Sequence, residues 1–227
     1  GVTAWSDKMP WFSGPSLLQL LDDVDIEKNE DDIPLFNVQT VIRPRSDAFH
    51  DYRAYAGYLL SGTLVKGQKV RVASTGQLAT IQKIEKWGRE MDSSAKDKAL
   101  TIHLEESIDL SRGDLLVPIK HDPNMKREFS AQLCWMGQRQ LFPNQKLIFQ
   151  LGTFSTQVLT TQIVSVVDLN TFTSGSTSVL SMNDIGHVRF RSAAAVPAEP
   201  YTGGSEHGGF ILIDPSDNAT VAAGFMN

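Results

Sequence analysis

Short runs that alternate between apolar and polar residues dominate the chain from residue 35 onward. The predicted strands cover residues 36–42, 55–63, 68–72, 80–84, 100–104, 128–135, 146–151, 157–168 and 187–192, and a final hairpin covers 210–223. Gly, Pro, Ser or Asp bounds these runs at a spacing of about ten residues, which is typical of antiparallel barrels and sandwiches. The segment 121–124, His-Asp-Pro-Asn, interrupts the pattern and marks the best boundary between two domains.

One segment near the start has helical spacing instead, and it predicts a short helix over residues 14–25. Its apolar residues recur at the 3, 4, 7 spacing of one helix face: Leu17, Leu18, Leu20, Leu21 and Val24. Pro15 suits the first helical position, with Ser13 or Gly14 as the cap. The acidic residues that follow, up to Asp32, predict a solvated linker.

Composition narrows the classes of protein. The chain has 227 residues and a formal net charge of −5, which argues against a free-standing nucleic-acid binder with a basic face. No apolar run approaches the ~18 residues of a membrane span, and the first residues lack the pattern of a signal peptide. The single Cys134 excludes an internal disulfide, and its apolar neighbours predict a buried thiol. We therefore expect a cytoplasmic protein.

Candidate catalytic chemistry is sparse. The five histidines are scattered without metal-ligand spacing, and adjacent Glu105 and Glu106 would point to opposite faces of a strand. The glycines at 203, 204, 208 and 209 lack the lysine of a phosphate-binding loop, and the sequence contains no G-x-x-x-x-G-K-[ST] motif. We therefore predict no catalytic, cofactor-binding or metal-binding residue.

The most distinctive motif of the chain lies near its end, where residues 208–224 read GGFILIDPSDNATVAAG. Two apolar runs flank a Pro/Asp/Asn-rich turn, which predicts a β-hairpin. This hairpin resembles the C-terminal signature of the large, GTPase-bearing subunit of bacterial sulfate adenylyltransferase. Residues 129–136 resemble the opening strand of that family's last domain, and residues 9–18 resemble the last helix of its GTPase domain.

A second resemblance covers residues 57–70, GYLLSGTLVKGQKV, which are similar to the second-domain signature of translational GTPases such as elongation factor Tu. Residues 107–114 look like the sulfate adenylyltransferase version of that domain's closing strand. Together the resemblances imply a mainly β chain with two consecutive antiparallel β-barrels after a short helix. The implied organisation is a GTPase-domain remnant and linker at 1–33, a domain 2-like barrel at 34–122 and a domain 3-like barrel at 123–227.

The family resemblance also implies a function. Its members couple GTP hydrolysis to the formation of adenosine 5′-phosphosulfate from ATP and sulfate, in a cytoplasmic heteromer with a small catalytic subunit. GTP and Mg²⁺ would bind the GTPase domain that this sequence lacks, so the resemblance implies no cofactor here and no activity for the barrels alone. The expected partners are the small catalytic subunit and the chain's own GTPase domain, with no membrane and no nucleic acid.

An alternative from another class is a translation-factor-like module that binds tRNA or other RNA through the first barrel. Positive charge would come from Arg43, Arg45, Arg53, Lys66, Lys69 and Arg71, with Tyr52, Tyr55 and Tyr58 as stacking groups. RNA binding that weakens steeply with salt would identify this alternative.

The candidate partner-binding residues lie in two loops that contain aromatic and charged residues, because such loops commonly carry function. They are Asp51, Tyr52, Arg53 and Tyr55 in the first loop, and Tyr201 and His207 in the second.

Overall fold

The computed structural model describes residues 2–24, 33–44, 52–95, 98–198, 200–201 and 208–226. They divide into two compact units, Gly1–Glu30 and Asp31–Asn227. Strands make up 55% of the structure and helix 4%, which confirms the mainly β prediction. Within the described ranges, no helix combines the length and hydropathy that a membrane crossing requires.

The first unit contains one helix, α1 (Leu17–Asp23), which is shorter than the predicted span of 14–25. Ser16 is its N-cap: the Ser16 hydroxyl accepts from the Gln19 amide at 3.2 Å, and the Gln19 side chain accepts from the Ser16 amide at 3.0 Å. This reciprocal capping box fixes the start of the helix. The prediction of Ser13 or Gly14 as cap was therefore wrong, and Pro15 precedes the cap. The leucine face remains exposed within this unit.

The second unit begins with a six-stranded antiparallel barrel. Its sheet contains β1 (Leu35–Ile42), β2 (Ala54–Ser61), β4 (Lys69–Val72), β5 (Leu78–Lys86), β6 (Arg89–Met91), β8 (Lys98–Leu104) and β9 (Leu115–Pro118). The order β4-β9-β1-β2-β8-β5 closes through a β4–β5 pairing, and β6 hangs on β5 outside the ring. A separate pair joins β3 (Thr63–Val65) to β7 (Ser93–Ala95). The closing strand is β9, and residues 107–114, which the resemblance placed in it, form the loop before it.

A second six-stranded barrel follows, and it closes in the same way as the first. Its sheet contains β10 (Met125–Trp135), β11 (Lys146–Leu151), β12 (Phe154–Asp168), β13 (Thr173–Gly175), β14 (Ile185–Pro197), β15 (Gly209–Ile213) and β16 (Thr220–Met226). The order β11-β15-β16-β10-β14-β12 closes through a β11–β12 pairing, and β13 hangs on β12. Two closed barrels after a short helix confirm the predicted fold. The domain limits at 33/34 and 122/123 stay predictions.

Each barrel encloses its own apolar core, which the alternation of its strands supplies. Phe36, Val38 and Tyr55 lie in the first core. In β10, Phe129, Ala131, Leu133 and Trp135 face the second core, so the intervening residues face outward. Cys134 is one of these and is only half-buried. The prediction of a buried thiol was therefore wrong, because the apolar neighbours belong to the opposite face.

The two barrels touch where the tight turn between β11 and β12 meets β1. The Thr153 hydroxyl lies within hydrogen-bonding distance of the Asn37 side-chain oxygen and of the Val38 carbonyl, the latter at 3.1 Å. Gly113 packs on the same turn: a Cβ added there would lie 3.0 Å from the Phe154 Cα. Backbone of one barrel thus meets backbone of the other.

Candidate functional site

Three of the predicted partner-binding residues, Tyr52, Arg53 and Tyr55, line a polar groove on the first barrel at the start of β2. The cavity has a volume of about 570 Å³. We define this polar groove by its main polar side chains: Arg43, Tyr52, Arg53, Gln82, His103, Glu105, Glu106 and Ser107. The rings of Tyr52 and His103 make a T-shaped contact, with their centroids 5.2 Å apart.

Both arginines of the groove, Arg43 and Arg53, pair with the same carboxylate, Asp109. Asp109 accepts from the Arg53 guanidinium at 2.9 Å, and Arg43 lies 3.6 Å from the same oxygen. Arg53 also stacks over the Tyr55 ring, with the guanidinium carbon 5.4 Å from the ring centroid. Arg53 is therefore held in place before any partner arrives.

Tyr55 lies at the base of the groove and is almost wholly buried. Its side chain is only 1% exposed, and its hydroxyl donates to the Ile108 carbonyl at 2.8 Å. Burial raises the pKa of this hydroxyl. The strand alternation sends Tyr55 inward, so its choice as a contact residue was wrong and it is a core residue that supports the groove.

A second charged cluster adjoins the groove through His103. Glu85 accepts from the Lys83 ammonium at 2.6 Å and from His103 Nε2 at 2.7 Å. The hydrogen bond from Lys83, followed by that from His103, lowers the pKa of the Glu85 carboxyl. The cluster ties neighbouring strands β5 and β8 together.

Tyr201 lies on the other barrel, apart from the polar groove. Its ring packs on Phe225 with centroids 4.4 Å apart, and its amide donates to the Met226 carbonyl at 3.2 Å. Phe225 lines a mostly apolar cavity of about 730 Å³ on the outside of this barrel, together with Cys134 and Ile211. Asp51 and His207 lie outside the described residues. Of the other four predicted residues, the structure brings together Tyr52, Arg53 and the buried Tyr55.

The basic residues of the RNA-binding alternative are largely paired with carboxylates. Lys66 contacts Glu90 at 2.7 Å, and Arg71 contacts Asp122 at 2.7 Å, in addition to the Arg53–Asp109 pair. Arg45 lies outside the described residues. Pairing with carboxylates reduces the positive potential that a phosphate backbone needs.

In the part of the chain that the structure describes, no three His, Cys, Asp or Glu side chains converge as a metal site. Around the groove, Arg53 and His103 are each paired with a carboxylate, Asp109 and Glu85 respectively.

Two exposed aromatic residues were missed by the sequence reading. Trp87 is 92% exposed at the β5–β6 turn, and Phe172 is 81% exposed at the β12–β13 turn. Both have a positive φ, 51° and 54°, where large side chains are uncommon. The Trp87-Gly88 dipeptide after a strand is the signal that could have revealed the first turn.

The second barrel matches a known family. Residues 128–227 match the model of the GTP-eEF1A C-terminal domain-like family. This is consistent with the elongation factor Tu domain 3-like barrel that the resemblances implied for the second half of the chain.

Proteins similar to nearly the whole chain include sulfate adenylyltransferase subunits and a bifunctional enzyme. Sulfate adenylyltransferase subunit 1 of Alteromonas mediterranea is 32% identical over 99% of this chain, and that of Colwellia psychrerythraea is 34% identical over 98%. The bifunctional enzyme CysN/CysC of Mycobacterium tuberculosis is 34% identical over 99% of this chain. The chain spans 47% of the first two relatives and 37% of the third.

Solved structures show the same fold. The structure of Sup35 complexed with GDP superposes with a TM-score of 0.78 at 18% identity, over 99% of this chain and 55% of that one. Such a likeness supports the barrel architecture.

Proposed function

Because the chain is homologous to the C-terminal region of sulfate adenylyltransferase subunit 1, we propose that it is the docking and coupling part of that subunit. The observation that carries this proposal is the match along nearly the whole chain to relatives of which it spans about half. The parent complex joins ATP and sulfate into adenosine 5′-phosphosulfate, and a GTPase domain outside this sequence, with GTP and Mg²⁺, drives the reaction. The complex works in the cytoplasm and supplies sulfur for cysteine biosynthesis.

In this proposal the barrels bind the small catalytic subunit and pass on the nucleotide state of the GTPase domain. Coupling of that kind requires contacts that differ between two states. The polar groove supports docking because Tyr52 and Arg53 stand at its border on a closed barrel. The contact of Thr153 with β1 supports coupling, because it joins the two barrels into one body that can move as a unit.

The test is a calorimetric titration of this chain with the purified small catalytic subunit of the same organism. We expect saturable binding, and no adenylyltransferase or GTPase activity from the chain alone. Circular dichroism and a cooperative thermal transition would establish that the chain is folded. Failure of a folded chain to bind would overturn the docking proposal.

A further inference from the structure

The β5–β6 hairpin extends beyond the six strands that close the first barrel. Lys86 pairs with Arg89 at its end, so the loop contains only Trp87 and Gly88. Both loop residues have positive φ, 51° and 73°. Two-residue hairpin loops of this geometry strongly favour Asn or Asp followed by Gly.

A tryptophan at the first loop position contradicts this preference. Its ring is almost wholly in solvent, so packing within the described chain does not compensate for the unfavourable backbone. A bulky residue at a position where the backbone prefers a small one is a reason to look for a function. Tryptophan is also among the residues enriched at the energetic centre of protein interfaces.

The charged residues around Trp87 indicate the kind of partner surface that would bind it. The Lys86 ammonium lies over the indole, 4.9 Å from the ring centroid. Glu85 and Glu90, the acidic neighbours, are engaged by Lys83 and Lys66. Among the described residues, no carboxylate lies within ion-pair distance of Lys86 or Arg89, so the tip presents an aromatic ring between two cations.

We propose that the β5–β6 hairpin inserts Trp87 into an apolar pocket with an acidic rim on a partner protein, with Lys86 and Arg89 pairing with that rim. This rests on the proposed function in one respect: the partner protein is taken to be the small catalytic subunit. A protein is favoured over RNA because the chain is acidic and the neighbouring cations Lys66 and Lys83 are paired with Glu90 and Glu85.

The experiment measures the affinity of the small catalytic subunit for the wild-type chain and for Trp87→Ala. We expect a loss of about thirty-fold, which corresponds to about 2 kcal/mol at 25 °C. Lys86→Glu/Arg89→Glu should also weaken binding and should reduce its dependence on salt. Phe172→Ala is the matched control, because it removes another exposed aromatic at positive φ but one without flanking cations, and it should bind as the wild type does.

Trp87→Asn guards against misfolding as an explanation. Asparagine suits this turn, so the variant should unfold at a temperature no lower than the wild type and still lose affinity. If Trp87→Ala binds the small catalytic subunit as tightly as the wild type does, this inference is overturned but the proposed function is not. No binding by the wild type would overturn the proposed function as well, and binding of tRNA at 150 mM salt that depends on Trp87 would replace the protein partner by RNA.

Discussion

Among single residues, Tyr55 shows how much one buried hydroxyl contributes. The Tyr55→Phe variant keeps the ring but leaves the buried Ile108 carbonyl without the donor it has at 2.8 Å. We expect the free energy of unfolding to fall by about 1.5 kcal/mol, measured by urea denaturation at pH 7. Tyr201→Phe is the control, because its ring contact with Phe225 persists and stability should change little. Equal stability of Tyr55→Phe and the wild type would contradict the assignment.

Glu85 makes stability depend on pH in a defined direction. Hydrogen bonds from Lys83 and then His103 lower its pKa in the folded chain. The unfolded chain then binds more protons in the acidic range, so this contribution is present above the unfolded pKa of about 4.3 and is lost as the pH falls through the folded value. Between pH 7 and pH 3.5, urea denaturation should show a larger loss of stability for the wild type than for Glu85→Gln. Glu105→Gln, which changes an exposed carboxyl, should lose as much as the wild type.

Between elements, the contact of the β11–β12 turn with the first barrel can be tested through Gly113. Its φ is +95°, and an added Cβ would meet the Thr153 carbonyl oxygen at 3.1 Å. Gly67 has a φ of +80° with nothing within 4 Å, so Gly67→Ala should cost only about 1 kcal/mol for the backbone. We expect Gly113→Ala to cost about 1 kcal/mol more, because it also displaces the turn. Similar losses in thermal denaturation would mean that this contact contributes nothing to stability.

The strands are the part of the fold that the sequence predicts best, because the alternation of apolar and polar residues in a strand can be seen in the sequence itself. Helix α1 was placed too early, since Pro15 suggested a first turn whereas the Ser16–Gln19 capping box decides where it starts. Tyr52 and Arg53 were chosen because aromatic and charged loop residues stand out in a sequence, and the structure places both at the polar groove. Their role in partner binding stays a prediction. Tyr55 and Cys134 were misplaced because the inward or outward direction of a strand residue depends on register, which only the folded sheet fixes.

At the scale of the whole molecule, net charge and ion pairing together predict weak binding to RNA. The formal charge is −5, and carboxylates engage Arg53 and Arg71. We expect no saturable tRNA binding at 150 mM salt in a filter-binding assay. Asp109→Asn/Asp122→Asn should release both arginines and raise tRNA binding at low salt. Tight wild-type binding with a steep salt dependence would favour the translation-factor-like alternative instead.

The closed rings also determine where the chain can change in length. In the described structure, β6 pairs with β5 and β13 pairs with β12, each outside the six strands that close a barrel. Residues added at these two hairpin tips would lengthen a protrusion without breaking a hydrogen bond of either ring. Diverging sequences could therefore resize these protrusions to suit a new partner while the barrels themselves keep their shape. Of the two tips, the β12–β13 tip is the natural place for a protein engineer to insert a label or a binding peptide, because no partner contact is proposed there.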